Sequence, residues 1–152
     1  MTRLSLILGA WLLLLPGTAG GAEPVIRKVL PHLVDTKGRI SVAPGLFDRS
    51  AYQQHLRENP SKISAVRFDI QWAAPRSVRD QLTLRMELRT ARGEPGMIRT
   101  IEAPTRDNRR LGGWSSVLLD GDQYREGGEV LAWRAVLLDG AVELAEQRSF
   151  LW

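Results

Sequence analysis

His32 and His55 are the only imidazoles in the chain, which contains no cysteine. A zinc site on either histidine needs distant ligands, because the one carboxylate at helical spacing within the same segment is Glu58. Ser115-Ser116 sits in no nucleophile elbow, and nothing in the sequence places a histidine beside it for hydrolysis. Asp120, Asp122 and Glu126 offer hard oxygens for calcium but depart from the EF-hand pattern at its third ligand and its glycine. Asp69 and Glu87 are expected on neighbouring outward strand faces, where they would imitate a glycosidase carboxylate pair. Arg67 and Arg85 stand beside them and point instead to cross-strand charge pairing. No catalytic residue, metal or cofactor is therefore expected.

The remaining chemistry is recognition. Arg106, Arg109 and Arg110 form a basic knot whose guanidinium groups could meet phosphate or another anion bidentately. No aromatic alternates with them, so nucleic acid is not expected as a partner. Trp72 and Trp133 fall on expected inward faces. Trp114 and Trp152 are the aromatics that could stack on a sugar ring.

The chain has 152 residues, 43% hydrophobic and 25% charged, the composition of one globular domain. Residues 1–22 read as a secretory signal: Arg3, an apolar run from Leu4 to Leu15, the break at Pro16-Gly17, then small residues to Ala22. Cleavage is expected before Glu23, with a cut after Ala19 as the alternative. The apolar run is shorter than the roughly 20 residues of a spanning helix. Export without cysteine points to a periplasmic or secreted bacterial protein, and Pro60 blocks the glycosylation sequon at Asn59. The whole chain carries 21 Lys plus Arg against 17 Asp plus Glu; losing Arg3 with the leader leaves a net charge of +3, mildly basic.

These groups must be carried on strands. Val25 to Val34 reads as an edge strand broken at Pro31, and Arg39 to Val42 as a short resumption. A helix capped by Asp48 or Ser50 runs to about Glu58, with Tyr52 and Leu56 toward the body, and stops at Asn59-Pro60. From Ile63 the period becomes two: Val66, Phe68, Ile70 and Trp72 alternate with Arg67, Asp69 and Gln71. Leu82, Leu84, Met86 and Leu88 repeat the pattern. Met97 to Ala103 and Trp114 to Leu119 are further strands. Val130 to Leu138 and Val142 to Phe150 flank Asp139-Gly140, a hairpin dipeptide. A two-residue turn there pairs Leu138 with Ala141 and Leu137 with Val142. Trp133, Ala135 and Leu137 then face inward with Val142 and Leu144, leaving Arg134, Val136, Glu143 and Gln147 outward. The count is about seven strands, an all-β antiparallel sandwich with one short helix between the first strands, in a single domain over residues 23–152.

The closing stretch resembles the last strands of immunoglobulin-like and fibronectin type III-like sandwiches. It comprises Trp114, Asp120-Gly121-Asp122-Gln123-Tyr124, Ala132-Trp133-Arg134 and the Asp139-Gly140 hairpin. Tyr124 corresponds in this resemblance to the tyrosine corner. The chain also resembles small exported bacterial proteins of uncharacterised function that share the Ala-Trp-Arg strand and a Ser-Phe-Leu-Trp ending. The expectation is a non-enzymatic interaction or accessory module of the bacterial envelope. Its contact surface is an edge strand or the Val136 and Leu138 side of the last hairpin, and its partner is an envelope protein. The alternative is a module binding glycan or an anionic envelope polymer through Arg106, Arg109, Arg110, Trp114 and Trp152.

Overall fold

The computed structural model describes residues 23–75, 78, 82–94, 96–105 and 113–152. The expected leader and Arg106, Arg109 and Arg110 lie outside the described residues. Among the described residues there are seven strands and two α-helices: β1 (Val25–Asp35), α1 (Leu46–Glu58), β2 (Ile63–Ala73), β3 (Thr83–Thr90), β4 (Arg99–Pro104), β5 (Gly113–Asp120), α2 (Gly121–Gly127), β6 (Val130–Asp139) and β7 (Val142–Arg148). A 3-10 turn, Pro60–Lys62, joins α1 to β2. The strands form two antiparallel sheets, ordered β1-β2-β5 and β4-β3-β6-β7.

Alternation explains both sheets. Val66, Phe68, Ile70 and Trp72 from β2 are buried in one apolar cluster with Leu84, Met86 and Leu88 from β3 and Ala135 and Leu137 from β6. The intervening Arg67, Asp69, Gln71, Arg85 and Glu87 keep partial solvent contact. Inside this cluster the indole N–H of Trp72 donates to Ser115 Oγ at 3.0 Å, so the one polar atom of the largest core ring is satisfied. Trp133 is half-buried against the same cluster.

Four expectations change. First, β1 is continuous through Pro31, which is paired opposite Phe68; its register shifts lie at Ile26/Lys28 and Val34/Asp35. Proline is tolerated because β1 is an edge strand and its outer side needs no ladder N–H. Second, residues 39–42 form no strand. Third, α1 starts at Leu46 after Gly45, which gives no side-chain cap. Asp48 lies in its first turn, and the Ser50 hydroxyl donates back to Leu46 O at 3.1 Å. Fourth, Tyr124 lies on α2 and not at a strand corner. The Asp120 carboxylate accepts from Gln123 N at 2.9 Å, capping α2.

The last hairpin also turns one residue later than read. Asp139 pairs with Val142, leaving Gly140-Ala141 as the turn, and Gly140 has φ 60°. Glycine at the first turn position supplies the positive φ that the primed hairpin turns require there. A register shift between Leu137 and Leu138 then restores Leu144 and Ala145 to the core side, while Val142 is exposed.

Candidate functional site

Val136 and Leu138, expected as a contact surface, are buried at 0% and 4% exposure. They lie on the outward side of β6, but β6 is flanked on both sides, with Val136 opposite Arg85 on β3 and Glu146 on β7. Arg85 and Glu146 belong to a charged network carried by the strands that flank β6. Arg134 is its centre, with Nη1 3.2 Å from Glu87, Nη2 2.7 Å from Glu143 and Nε 2.6 Å from Glu146. Arg85 pairs with Glu87 at 3.1 Å and also with Glu143. Hydrogen bonds from Arg134 to Glu146, Glu143 and Glu87, opposed by burial, raise its pKa further above the usual guanidinium value. The same guanidinium is the main cause that lowers the Glu143 and Glu146 carboxyls.

Asp69 and Glu87, expected on neighbouring faces, stand on different sheets, because the β2–β3 connection crosses from one sheet to the other. Asp69 instead gathers three groups on the outer face of the first sheet. Arg67 Nη2 lies at 2.9 Å, the Ser116 hydroxyl donates at 2.7 Å, and His32 Nε2 lies at 3.8 Å. Serine, aspartate and histidine are together here, but the carboxylate stands between the other two. A hydrolytic relay needs the imidazole in the middle. Burial is the largest influence on His32 and lowers its pKa; Arg67 and Arg49 act the same way, and Asp69 opposes them.

The carboxylates considered for calcium each have separate work. Asp120 caps α2, Asp122 pairs with Arg125, and Glu126 pairs with Arg99 at 2.8 Å. Among the described residues no group of three His, Asp or Glu is placed to hold a metal.

Trp152 is half-buried at the chain end, with the Arg89 guanidinium 4.6 Å from its ring centroid, so one face of that platform is covered. Trp114 is different. It is 49% exposed on β5, with Leu118 at 54% on the same outward side, while Ser115, Val117 and Leu119 turn inward. β5 pairs with β2 on one side, and no described strand pairs with the other. The exposed apolar side chains therefore lie on a strand whose second side is paired by no described strand, a template for another extended segment.

A second feature was absent from the sequence reading. A groove of about 470 Å³ lies between the end of α1, the β3–β4 turn and the α2–β6 corner, lined by Arg57, Ser61, Arg92, Tyr124, Arg125 and Glu129 among others. It adjoins a smaller hollow of about 100 Å³ that shares Arg57, Tyr124 and Glu129 and reaches toward Leu33 and Val66. These arginines are scattered singly along the sequence, so no local run announced them. The only available signal was Asp120-x-x-Gln123, a capping signature that puts Tyr124 and Arg125 on a helix.

Among the described residues no helix is long and apolar enough to cross a membrane. Compared with protein-family models, curated proteins and solved structures, the chain matches none.

Proposed function

We propose that the protein is an exported, non-enzymatic interaction module of the bacterial envelope, a β-sandwich that receives an extended segment of a partner protein along β5. The observation that carries this reading is the pair Trp114 and Leu118, exposed four residues apart on one face of a strand whose second side no described strand pairs. Backbone hydrogen bonds along such an edge supply affinity, and outward side chains spaced two apart supply specificity. The edge of β1 is less available, because α1 already occupies part of it. The sheet order β1-β2-β5 with β4-β3-β6-β7 supports a fibronectin type III-like sandwich, since the fourth strand joins β3. Similar sandwiches serve unrelated functions, so the fold alone recommends no partner.

The test is capture of envelope proteins on the purified full chain, washed at low and high salt, beside a variant carrying Trp114→Glu and Leu118→Lys. A defined protein retained at high salt by the native chain and lost from the variant supports the reading. Equal retention by a folded variant overturns it. Retention of glycan or anionic polymer at low salt alone favours the alternative.

A further inference from the structure

We infer that the groove lined by Arg57, Arg92, Arg125 and Tyr124 binds an oxyanion, carboxylate or phosphate, carried on a hydroxylated body such as an acidic sugar. Arg92 is held ready for this. Its backbone N–H donates to Gly127 O at 2.8 Å, and its Nη1 donates to Arg125 O at 2.8 Å. Its stem lies across Gly128, where φ is 77° and an added Cβ would stand 3.2 Å from Arg92 Cγ. One guanidinium N–H is thus spent on anchoring, and the others remain to meet an anion in a fixed fork with little further loss of freedom. Arg125 enters from α2, and its pairing with exposed Asp122 is of the weak surface kind that a ligand can displace. Arg57 enters from the last turn of α1, and no described residue forms an ion pair with it.

Tyr124 makes the groove more than a patch of surface charge. It is only 8% exposed, it lines both compartments, and no described residue hydrogen-bonds its hydroxyl. Burial chiefly raises its pKa, with Glu129 adding to the effect and Arg57 and Arg92 opposing it, which places the hydroxyl among those charges and keeps it protonated. The hydroxyl oxygen is not among the fully buried atoms left without a partner, so it meets solvent in the groove and can exchange water for an acceptor on a ligand.

Glu129 decides the ligand class. A carboxylate beside the arginines repels a continuous polyanion but accepts hydrogen bonds from sugar hydroxyls. Ser61 adds a hydroxyl that both donates and accepts. The lining therefore fits a single negative group next to several hydroxyls. The inference is independent of the β5 reading, because β5 contributes no residue to the groove. Variants of Trp114 and variants of Arg92 can fail separately.

The experiment is an amide NMR titration of the isotope-labelled full chain with glucuronate, glucose phosphate, neutral glucose and inorganic phosphate. At least one acidic sugar is expected to give saturable shifts at Gly127, Gly128 and the Arg92 side-chain N–H, and which one identifies the anion. Arg92→Gln and Tyr124→Phe should each weaken that binding, Arg92→Gln by roughly tenfold, while signals outside the groove stay in place. Arg57→Gln, on an exposed helical position, tests the same point if the tyrosine variant fails to fold. Absence of saturable shifts with both acidic sugars overturns the inference, as do affinities unchanged in Arg92→Gln and Arg57→Gln. Neutral glucose binding as well as the acids overturns the anion, and inorganic phosphate binding as well as glucose phosphate overturns the hydroxylated body.

Discussion

The side-chain amide of Gln53 on α1 acts as a short additional strand against Leu33 on β1. Its Oε1 accepts from Leu33 N at 2.7 Å, and its Nε2 donates to Leu33 O at 2.8 Å and to Ile40 O at 2.9 Å. An edge strand leaves such groups unpaired, and burying them without partners would be costly. One glutamine therefore both docks α1 and closes part of an open edge, while Leu56 one turn further along joins the core.

Gln53→Ala should destabilise the fold by about 2 kcal/mol, since it leaves buried backbone groups of Leu33 unmatched. Urea unfolding measures the loss, and hydrogen exchange at Leu33 should quicken more than at Phe68 in the middle of the sheet. Unchanged protection at Leu33 would remove the edge-closing role.

Asp35 is expected to make the fold sensitive to acid. Burial works to raise its carboxyl, but Tyr52 OH at 2.5 Å, the Arg39 N–H at 2.8 Å and side chain, and the Lys37 N–H at 2.8 Å outweigh it. They hold the carboxyl well below its ordinary value of 3.8. A carboxyl depressed in the folded state contributes stability above its unfolded pKa and loses it as pH falls toward the folded one. Stability should therefore fall below about pH 3.8, and Asp35→Asn should flatten that part of the profile. Thermal unfolding across acidic pH would show it.

His32 acts in a separate window. Its lowered pKa means the unfolded chain binds the extra proton first, so stability should begin to fall as pH drops through the ordinary histidine value of 6.5. His32→Gln should remove that component while leaving the acid limb set by Asp35. An unchanged slope near that pH would show that the imidazole sits in equivalent surroundings in both states.

Leu118 and Leu119 are neighbours in sequence with opposite fates. Leu118 is exposed and Leu119 is fully buried. Leu118→Lys should change unfolding free energy by no more than about 0.5 kcal/mol. Leu119→Ala should cost about 3 kcal/mol through lost burial and the cavity left behind. Similar losses at both positions would refute the outward placement of Leu118.

Arg134→Met tests the charged network centred on that guanidinium. The pKa values of Glu143 and Glu146 should rise toward the ordinary carboxylate range, because their main cause of depression is gone. Carboxyl NMR titration reads this directly. Values that stay low would assign the effect to Arg85 and Arg148.

Local periodicity made much of the fold legible. Alternation from Val66 to Trp72 and from Leu82 to Leu88 identified two strands and their inward faces, and Asn59-Pro60 marked the end of α1. Asp120-x-x-Gln123 carried the signal for α2 but stood next to Asp-Gly, which reads equally as a turn. The register of the last hairpin was ambiguous by one residue, because Asp-Gly and Gly-Ala both supply a glycine for a tight turn and the later Leu144 bulge is not a local property.

The sites were harder to read for a different reason. Alternation assigns Val136 to the outer side of β6, but exposure also depends on what stands across the neighbouring strands. Arg85 and Glu146 become its neighbours only when β3 and β7 assemble around β6. Arg57, Arg92 and Arg125 likewise belong to three segments whose local preferences contain nothing of their convergence. The sequence by itself determined the strand-rich character, the alternating faces and the stop of α1 at Asn59-Pro60, because these depend on residues a few positions apart. Only tertiary structure decided which outward side chains meet water and which arginines share a groove, because long-range packing creates those neighbours.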